Sequence, residues 1–165
     1  MKRVPRDVSI QLFKLAPGGF RYLMLRRLSA RGGFWQSVTG APLAGETDTE
    51  AAIREVHEEI GYDVSASIIP LAVGYSYALR PELADRWRDR YGSGVREISV
   101  VAFGAEVPAA LDPVLDPAEH DSFAWCTYEQ AYALLDWPIE SDALPGRRKA
   151  LHSLANVIGD ESVLG

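Results

Sequence analysis

A single cysteine, Cys126, among 165 residues leaves no partner for an internal disulfide, so a disulfide-stapled secreted domain is excluded. No window approaches the roughly 18 uncharged apolar residues that a membrane-spanning helix needs. The basic start, MKRVPRDVSIQL, meets Asp7 before any long apolar run and does not read as a signal peptide, so the expected location is the cytosol. Glycine (14) and proline (10) are too few for a collagenous or disordered chain. What remains is ordinary globular composition, 47% hydrophobic and 24% charged. The length suits one domain over residues 1–165, long enough to bury about two thirds of its unfolded surface.

The net charge of −6 argues against general nucleic-acid binding. Its distribution is uneven. Glu46, Asp48, Glu50, Glu55, Glu58 and Glu59 fall in one short window with Arg54 as the one base, whereas Met1 to Arg31 holds eight bases and one acid. An acidic cluster beside a basic segment fits a metal site facing a polyanion. On charge alone, two solvated faces of opposite sign explain it as well.

Val8, Ile10 and Leu12 alternate with Ser9 and Gln11, the period of a half-buried strand. Pro17-Gly18-Gly19 is a turn signal leading to a second strand, Phe20 to Leu25, in hairpin relation to the first. Further strands are expected over Phe34–Val38, Ile68–Leu79 (broken at Pro70 and Gly74), Glu97–Val107 and Phe123–Cys126. Helices are expected over Pro81–Arg90, Tyr128–Leu135 and Arg147–Ile158. Strands alternating with helices indicate an α/β layered domain.

The strongest helix signal spans Asp48 to Ile60. Thr47-x-x-Glu50 is a capping-box pattern and Gly61 suits the residue after the helix. On a helical wheel with Glu55 at zero, Glu59 falls near 40° and Glu58 near −60°, so the three share a face. Ala52, Ile53, Val56 and Ile60 form an apolar stripe beside it. Like charges at this spacing destabilise a helix by a few tenths of a kcal/mol per pair. The negative end of the helix dipole also disfavours Glu58 and Glu59. A solvated face would intersperse lysines, and this helix has none. A hard cation such as Mg²⁺ or Mn²⁺ would relieve the repulsion, and Arg54 would brace the cluster.

The segment GAPLAGETDTEAAIREVHEEIGY, Gly40 to Tyr62, resembles the Nudix box, G-x5-E-x7-R-E-U-x-E-E-x-G-U, with U a bulky apolar residue. Gly40, Glu46, Arg54, Glu55, Glu58, Glu59 and Gly61 occupy its seven fixed positions, and Val56 and Tyr62 its two apolar ones. Chance agreement is on the order of 10⁻⁷ per chain at average residue usage. Outside the box, FWQSVTG, DRYGSGV and EHDSFAW are similar to the subgroup containing bacterial dihydroneopterin triphosphate (dATP) pyrophosphohydrolases. The resemblance implies a Nudix α/β/α sandwich, a mixed sheet between helices.

The resemblance further implies a Mg²⁺- or Mn²⁺-dependent hydrolase releasing a monophosphate and pyrophosphate from nucleoside-triphosphate-like substrates. Glu55 and Glu59 would ligate the metal, with Glu58 sharing that role or acting through water. The Gly40 carbonyl would reach the metal, Arg54 would orient the glutamates, Glu46 would anchor the loop, and Gly61 would cap the helix. Glu119 is the candidate further ligand or general base from a distant loop, and the water's proton would pass to Glu59 or Glu119. Arg27 matches a phosphate- or base-contacting position, and Trp35, Gln36 and Tyr91 are candidates to hold a substrate ring, although packing accounts for each equally. His120 is expected at the surface or in a hydrogen bond, His57 in solvent, His152 without a partner and Cys126 in the core. No P-loop or dinucleotide fingerprint is present, so phosphate handling rests on metal and arginine. Rival readings are a hydrolase of dinucleoside polyphosphates, nucleotide sugars or capped RNA ends, and a non-catalytic nucleotide-binding module. The intact box glutamates speak against the module.

Overall fold

The segment whose alternation predicts a half-buried strand is instead the centre of the molecule. In a computed structural model, which describes residues 4–79, 81, 84–135 and 143–163, β1 (Arg6–Ala16) is buried without a break from Val8 to Phe13. Val8, Ile10 and Leu12 face one side, and Ser9 and Gln11, equally buried, face the other. The polar pair is tolerated because it is satisfied. Gln11 Nε2 donates to Ser9 Oγ at 3.1 Å and to the Phe103 carbonyl at 3.4 Å, and Ser37 Oγ donates to Gln11 Oε1 at 2.7 Å. Alternation reported the two faces of the strand but not that both are covered.

The sheet grows outward from β1. The Pro17-Gly18 turn joins it to β2 (Gly19–Arg27), antiparallel from Phe13↔Tyr22 to Ala16↔Gly19. On its other edge β6 (Glu97–Glu106) runs parallel, from Arg6↔Ser99 to Phe13↔Glu106. β5 (Ile69–Ala78) pairs antiparallel with β6 and slips register between Pro70 and Gly74, where a break was expected. The strand expected over Phe34–Val38 is divided at Ser37: β3 (Trp35–Gln36) pairs with β2, and β4 (Val38–Gly40) pairs with β1. β7 (His120–Cys126) starts at His120 rather than Phe123 and pairs with β2. The result is a mixed seven-stranded sheet, β3-β2-β1-β6-β5 along its main path.

Helices cover both faces. α1 (Asp48–Ile60) lays Ala51, Ala52, Val56 and Ile60 on Val8, Ile10, Leu12, Leu25 and Phe103. α2 (Ala84–Tyr91) replaces the helix expected at Pro81–Arg90, part of which lies outside the described residues. α3 (Tyr128–Leu134) and α4 (Leu144–Ile158) cover the opposite face, over Phe13, Tyr22, Met24 and Cys126. α4 begins before the expected Arg147 because Pro145, in its first turn, suits a helix start. It sits unusually close to the sheet. A Cβ on Gly146 would strike the Tyr75 ring, and one on Gly104 the Leu154 side chain. His152, expected to have no partner, lies 3.2 Å from the Tyr128 hydroxyl across the α3–α4 contact.

A third cluster, Ala41, Tyr77, Leu79, Tyr91, Ile98 and Val100, closes one end of the sheet. Asp7 lies beside it and accepts hydrogen bonds from Tyr77 Oη at 3.0 Å and Tyr91 Oη at 3.1 Å. Burial raises the Asp7 carboxyl above its ordinary range, against the opposing pull of Arg90 and the two phenols. Folding therefore raises its proton affinity, so its contribution to stability is greatest below its unfolded pKa of 3.8 and falls as pH rises through the folded value. Asp7→Asn should remove this slope: the urea midpoint of the variant should gain on the wild type as pH rises from about 4 to about 7. A pH-independent difference would show that Asp7 does not titrate in that window.

Candidate active site

The site is built on α1, whose ends are set locally. Thr47 Oγ1 accepts from the Glu50 amide at 3.1 Å and Glu50 Oε2 accepts from the Thr47 amide at 3.2 Å, the reciprocal capping box. Gly61, at φ 74°, takes the left-handed conformation that ends the helix. Between these ends Arg54 spends nearly its whole guanidinium on the acidic cluster. Nε and Nη2 hold Glu46 in a two-pronged pair at 2.8 and 2.9 Å, Nη1 donates to Glu55 at 2.9 Å and Glu58 at 3.2 Å, and Nη2 also reaches the Ala41 carbonyl at 3.2 Å. Glu46 in turn accepts from the Leu43 amide at 3.0 Å. The loop before the helix is thereby clasped to it, and Arg54 is held charged chiefly by its bonds to Glu46.

The three carboxylates of the shared face are not equivalent. Glu55 and Glu59 are buried, at 8% and 2% exposure, whereas the Glu58 side chain is 55% exposed. The expectation of three carboxylates along a helix edge is corrected: two of them are buried, Glu55 against the backbone of β4 and Glu59 beside His120. The Glu55 carboxyl packs so closely on the backbone of β4 that a Cβ on Gly40 would occupy its place. Neither oxygen of Glu59 receives a hydrogen bond among the described residues. Burial first, then Glu55, then Glu119 push its carboxyl well above the usual range, and Arg27 pulls it back.

Glu119 arrives from far along the chain. The Pro-bounded segment before β7 closes in a turn, with the Glu119 amide on the Asp116 carbonyl at 3.0 Å and the Ala118 amide on the Asp116 side chain at 2.9 Å. The Glu119 carbonyl accepts from the Leu28 amide at 3.0 Å, which ties the turn to the end of β2. One ligand atom each from Glu59, Glu119 and His120 lies within 4.8 Å of the others. His120 is not at the surface. It is 2% exposed, its Nε2 lies 3.2 Å from Gln36 Nε2, and its Nδ1 lies 3.7 Å from Glu59 Oε1. Burial, then Arg27, push its pKa down to about 4, which leaves the ring neutral at pH 7.

Arg27, at the end of β2, is half-buried rather than solvated. Its guanidinium stands 5.6 Å from the Phe34 ring and its Nε is buried without an acceptor among the described residues. Desolvation lowers its proton affinity, offset by Glu119 and Glu59. Arg147, buried in α4, stands on the same ring at 5.8 Å and is pushed down to about 10 by burial. Its position in the sequence, within an ordinary helix face, carried no signal of this. Trp35 packs among the α3–α4 core residues, and Tyr91 is buried with its hydroxyl on Asp7. Gln36 is 1% exposed and engaged by His120, so the expectation that it faces a substrate ring gives way to burial. His57 is exposed and Cys126 buried, as expected.

The residues present fit a divalent cation. Buried Glu59 oxygens without donors, two further carboxylates close by, and a glycine that leaves room for one of them form a hard, oxygen-rich donor set suited to Mg²⁺ or Mn²⁺.

Comparison with known proteins agrees with this geometry. The NUDIX domain family matches residues 5–146. A dihydroneopterin triphosphate diphosphatase of Escherichia coli is 36% identical over 129 residues, which cover 78% of this chain and 83% of that protein. An octanoyltransferase of Myxococcus xanthus is 37% identical over 120 residues, 73% of this chain, but the match spans only 30% of that longer protein. Among solved structures, the E. coli dihydroneopterin triphosphate pyrophosphohydrolase superposes with a TM-score of 0.73 at 28% identity, covering 92% of this chain and 95% of that one. The carboxylate-bearing α1, clasped by Arg54 and set on a mixed sheet between helices, thus sits in a chain that belongs to the Nudix hydrolase family.

Proposed function

We propose that this chain, read as one Nudix domain, is a divalent-metal-dependent pyrophosphohydrolase. It would cleave nucleoside-triphosphate-like substrates, dihydroneopterin triphosphate or a (deoxy)nucleoside triphosphate, to a monophosphate and pyrophosphate. The observation that carries the reading is Glu59: a buried carboxyl with no donor on either oxygen among the described residues, beside Glu55 and Glu119. To be ionised in such surroundings this carboxyl needs compensation, which a cation would supply. The E. coli relative named for dihydroneopterin triphosphate supports the substrate class.

Glu55, Glu58, Glu59 and the Gly40 carbonyl would hold the metal, with Glu119 beside it as a further ligand or as the base; the metal when bound would neutralise phosphate charge and acidify water. Arg27 would take phosphate oxygens, since a half-buried guanidinium with an unused Nε is preorganised for them. Arg54, occupied by four acceptor groups, acts by holding Glu55 and Glu58 in place rather than by meeting substrate. Glu119 is the better placed base. It comes from a separate turn, whereas Glu55 and Glu59 share one helix face and one ligand role. Trp35 and Tyr91 would shape the ring pocket from behind rather than line it.

Glu55→Gln and Glu59→Gln each remove ligand charge without changing shape. Loss of an outer partner of a metal ligand costs about 10–100-fold, so loss of a ligand's own charge should lower kcat by at least about 100-fold. The thermal shift produced by added Mg²⁺ should vanish in the same variants. Near-normal turnover in both would remove the assignment.

Hydrolysis in ¹⁸O-labelled water, followed by mass spectrometry of the products, reads the bond choice. Pyrophosphate and a monophosphate are expected. Orthophosphate as the sole small product would contradict the substrate reading and leave the family membership intact.

Glu119→Gln should cut kcat strongly while KM changes little, and the acidic limb of the pH–rate profile should shift or disappear. Recovery of most of the loss by Mn²⁺ or excess Mg²⁺ would make Glu119 a ligand instead. Unchanged kcat and metal dependence would make the turn purely structural.

A further inference from the structure

We propose that His120, held from behind by Gln36, is the positioning residue that aims the Glu59 carboxylate at the metal, an inference that rests on the metal-dependent reading above. The acids of the site differ in how their direction is set. Glu55 is steered by Arg54 at 2.9 Å. Glu119 is carried on a turn whose carbonyl is tied to Leu28 at 3.0 Å. Among the described residues Glu59 has no donor at hydrogen-bond length on either oxygen, although it is the most deeply buried of the three. A polar atom that faces it is His120 Nδ1, buried, without a hydrogen-bond partner among the described residues, and 3.7 Å from Glu59 Oε1.

The other end of the ring fixes its tautomer. Gln36 Nε2 lies 3.2 Å from His120 Nε2. An amide N–H donates, so the ring Nε2 accepts and the ring proton sits on Nδ1, the nitrogen that faces the carboxylate. The Gln36 end of the imidazole thus sets the tautomer that an ionised Glu59 would use. Gln36 and His120 reach the site from strands on either side of β2: Gln36 pairs with Leu25 and His120 with Arg27. The relay is therefore anchored in sheet rather than in loop. At 3.7 Å the Nδ1–H stands just beyond hydrogen-bond length, and contacts of this kind tighten when a site is loaded. Partners behind a ligating group that fix its orientation are worth about 10–100-fold in metal affinity or activity.

The test uses the full chain, stripped of metal, with Mn²⁺ as the probe in isothermal titration calorimetry. His120→Leu and Gln36→Leu should each weaken Mn²⁺ binding by about 10–100-fold. His120→Asn, whose amide nitrogen can stand where Nδ1 stood, should restore it to within a few-fold. The losses in the double variant, His120→Leu with Gln36→Leu, should fall well short of additive, because both cut one relay. In the metal-free protein, long-range ¹⁵N imidazole spectra should show the proton of His120 on Nδ1, and Gln36→Leu should release that preference. Wild-type binding that is lost in Glu59→Gln secures the metal reading separately; wild-type protein that takes no Mn²⁺ overturns both. Wild-type affinity in Gln36→Leu would overturn the relay even if His120→Leu fails to fold. Loss of Mn²⁺ with Mg²⁺ binding spared in His120→Asn would make the histidine a nitrogen ligand and likewise overturn the positioning role.

Discussion

Everything at this site depends on Arg54. Its guanidinium holds four acceptor groups at once: Glu46 and the Ala41 carbonyl in the loop between β4 and α1, and Glu55 and Glu58 on its own helix. A carboxylate pair with parallel N–H donors is directional as well as strong, so this one residue sets where the loop stands relative to the helix. The same charge offsets part of the repulsion among the acids it orients. A lysine there would supply the charge without the fork that grips Glu46 from two nitrogens.

The site is assembled against local preference. α1 places acids at its C-terminal end, where the helix dipole is unfavourable, and then buries two of its carboxylates against the sheet. The rest of the helix must compensate. The capping box, the left-handed Gly61 and the stripe of Ala51, Ala52, Val56 and Ile60 on the core supply local and tertiary stability that the acidic face withholds. Such conflict between local rules and the fold is expected where function has shaped a segment.

β2 is the second organiser. Its first half pairs with β1 in the hairpin; its second half leaves β1 and is flanked by β3 and β7. That divergence brings Arg27, Gln36, His120 and Glu119 toward the carboxylates of α1, although they come from three separate stretches of sequence. On the far side α4 presses on the sheet through Gly104 and Gly146, and its buried Arg147 shares the Phe34 ring with Arg27. Two guanidiniums at one ring bring positive charge to that end of the site, which Glu59 and Glu119 oppose in part.

The sequence by itself determined the features that rest on short-range rules. The bounds of α1 follow from Thr47, Glu50 and Gly61, because caps and turns depend on residues only a few positions apart. The break in β5 at Pro70 and Gly74, the hairpin turn at Pro17-Gly18 and the sharing of one face by Glu55, Glu58 and Glu59 are legible for the same reason. Family membership was legible because seven spaced residues carry it. What only the tertiary structure decided is burial and encounter. Ser9 and Gln11 alternate like solvent-facing residues, yet lie in a satisfied polar network under α4. Glu58 and Glu59 are neighbours of identical chemistry, yet one is open to water and the other buried, with His120 of β7 at 3.7 Å from its Oε1. His120, Gln36 and Arg147 carry no local pattern at all. Their place in the site follows from which strands pair and how closely α4 approaches the sheet, and long-range contacts of that kind leave no periodicity in the chain to be read.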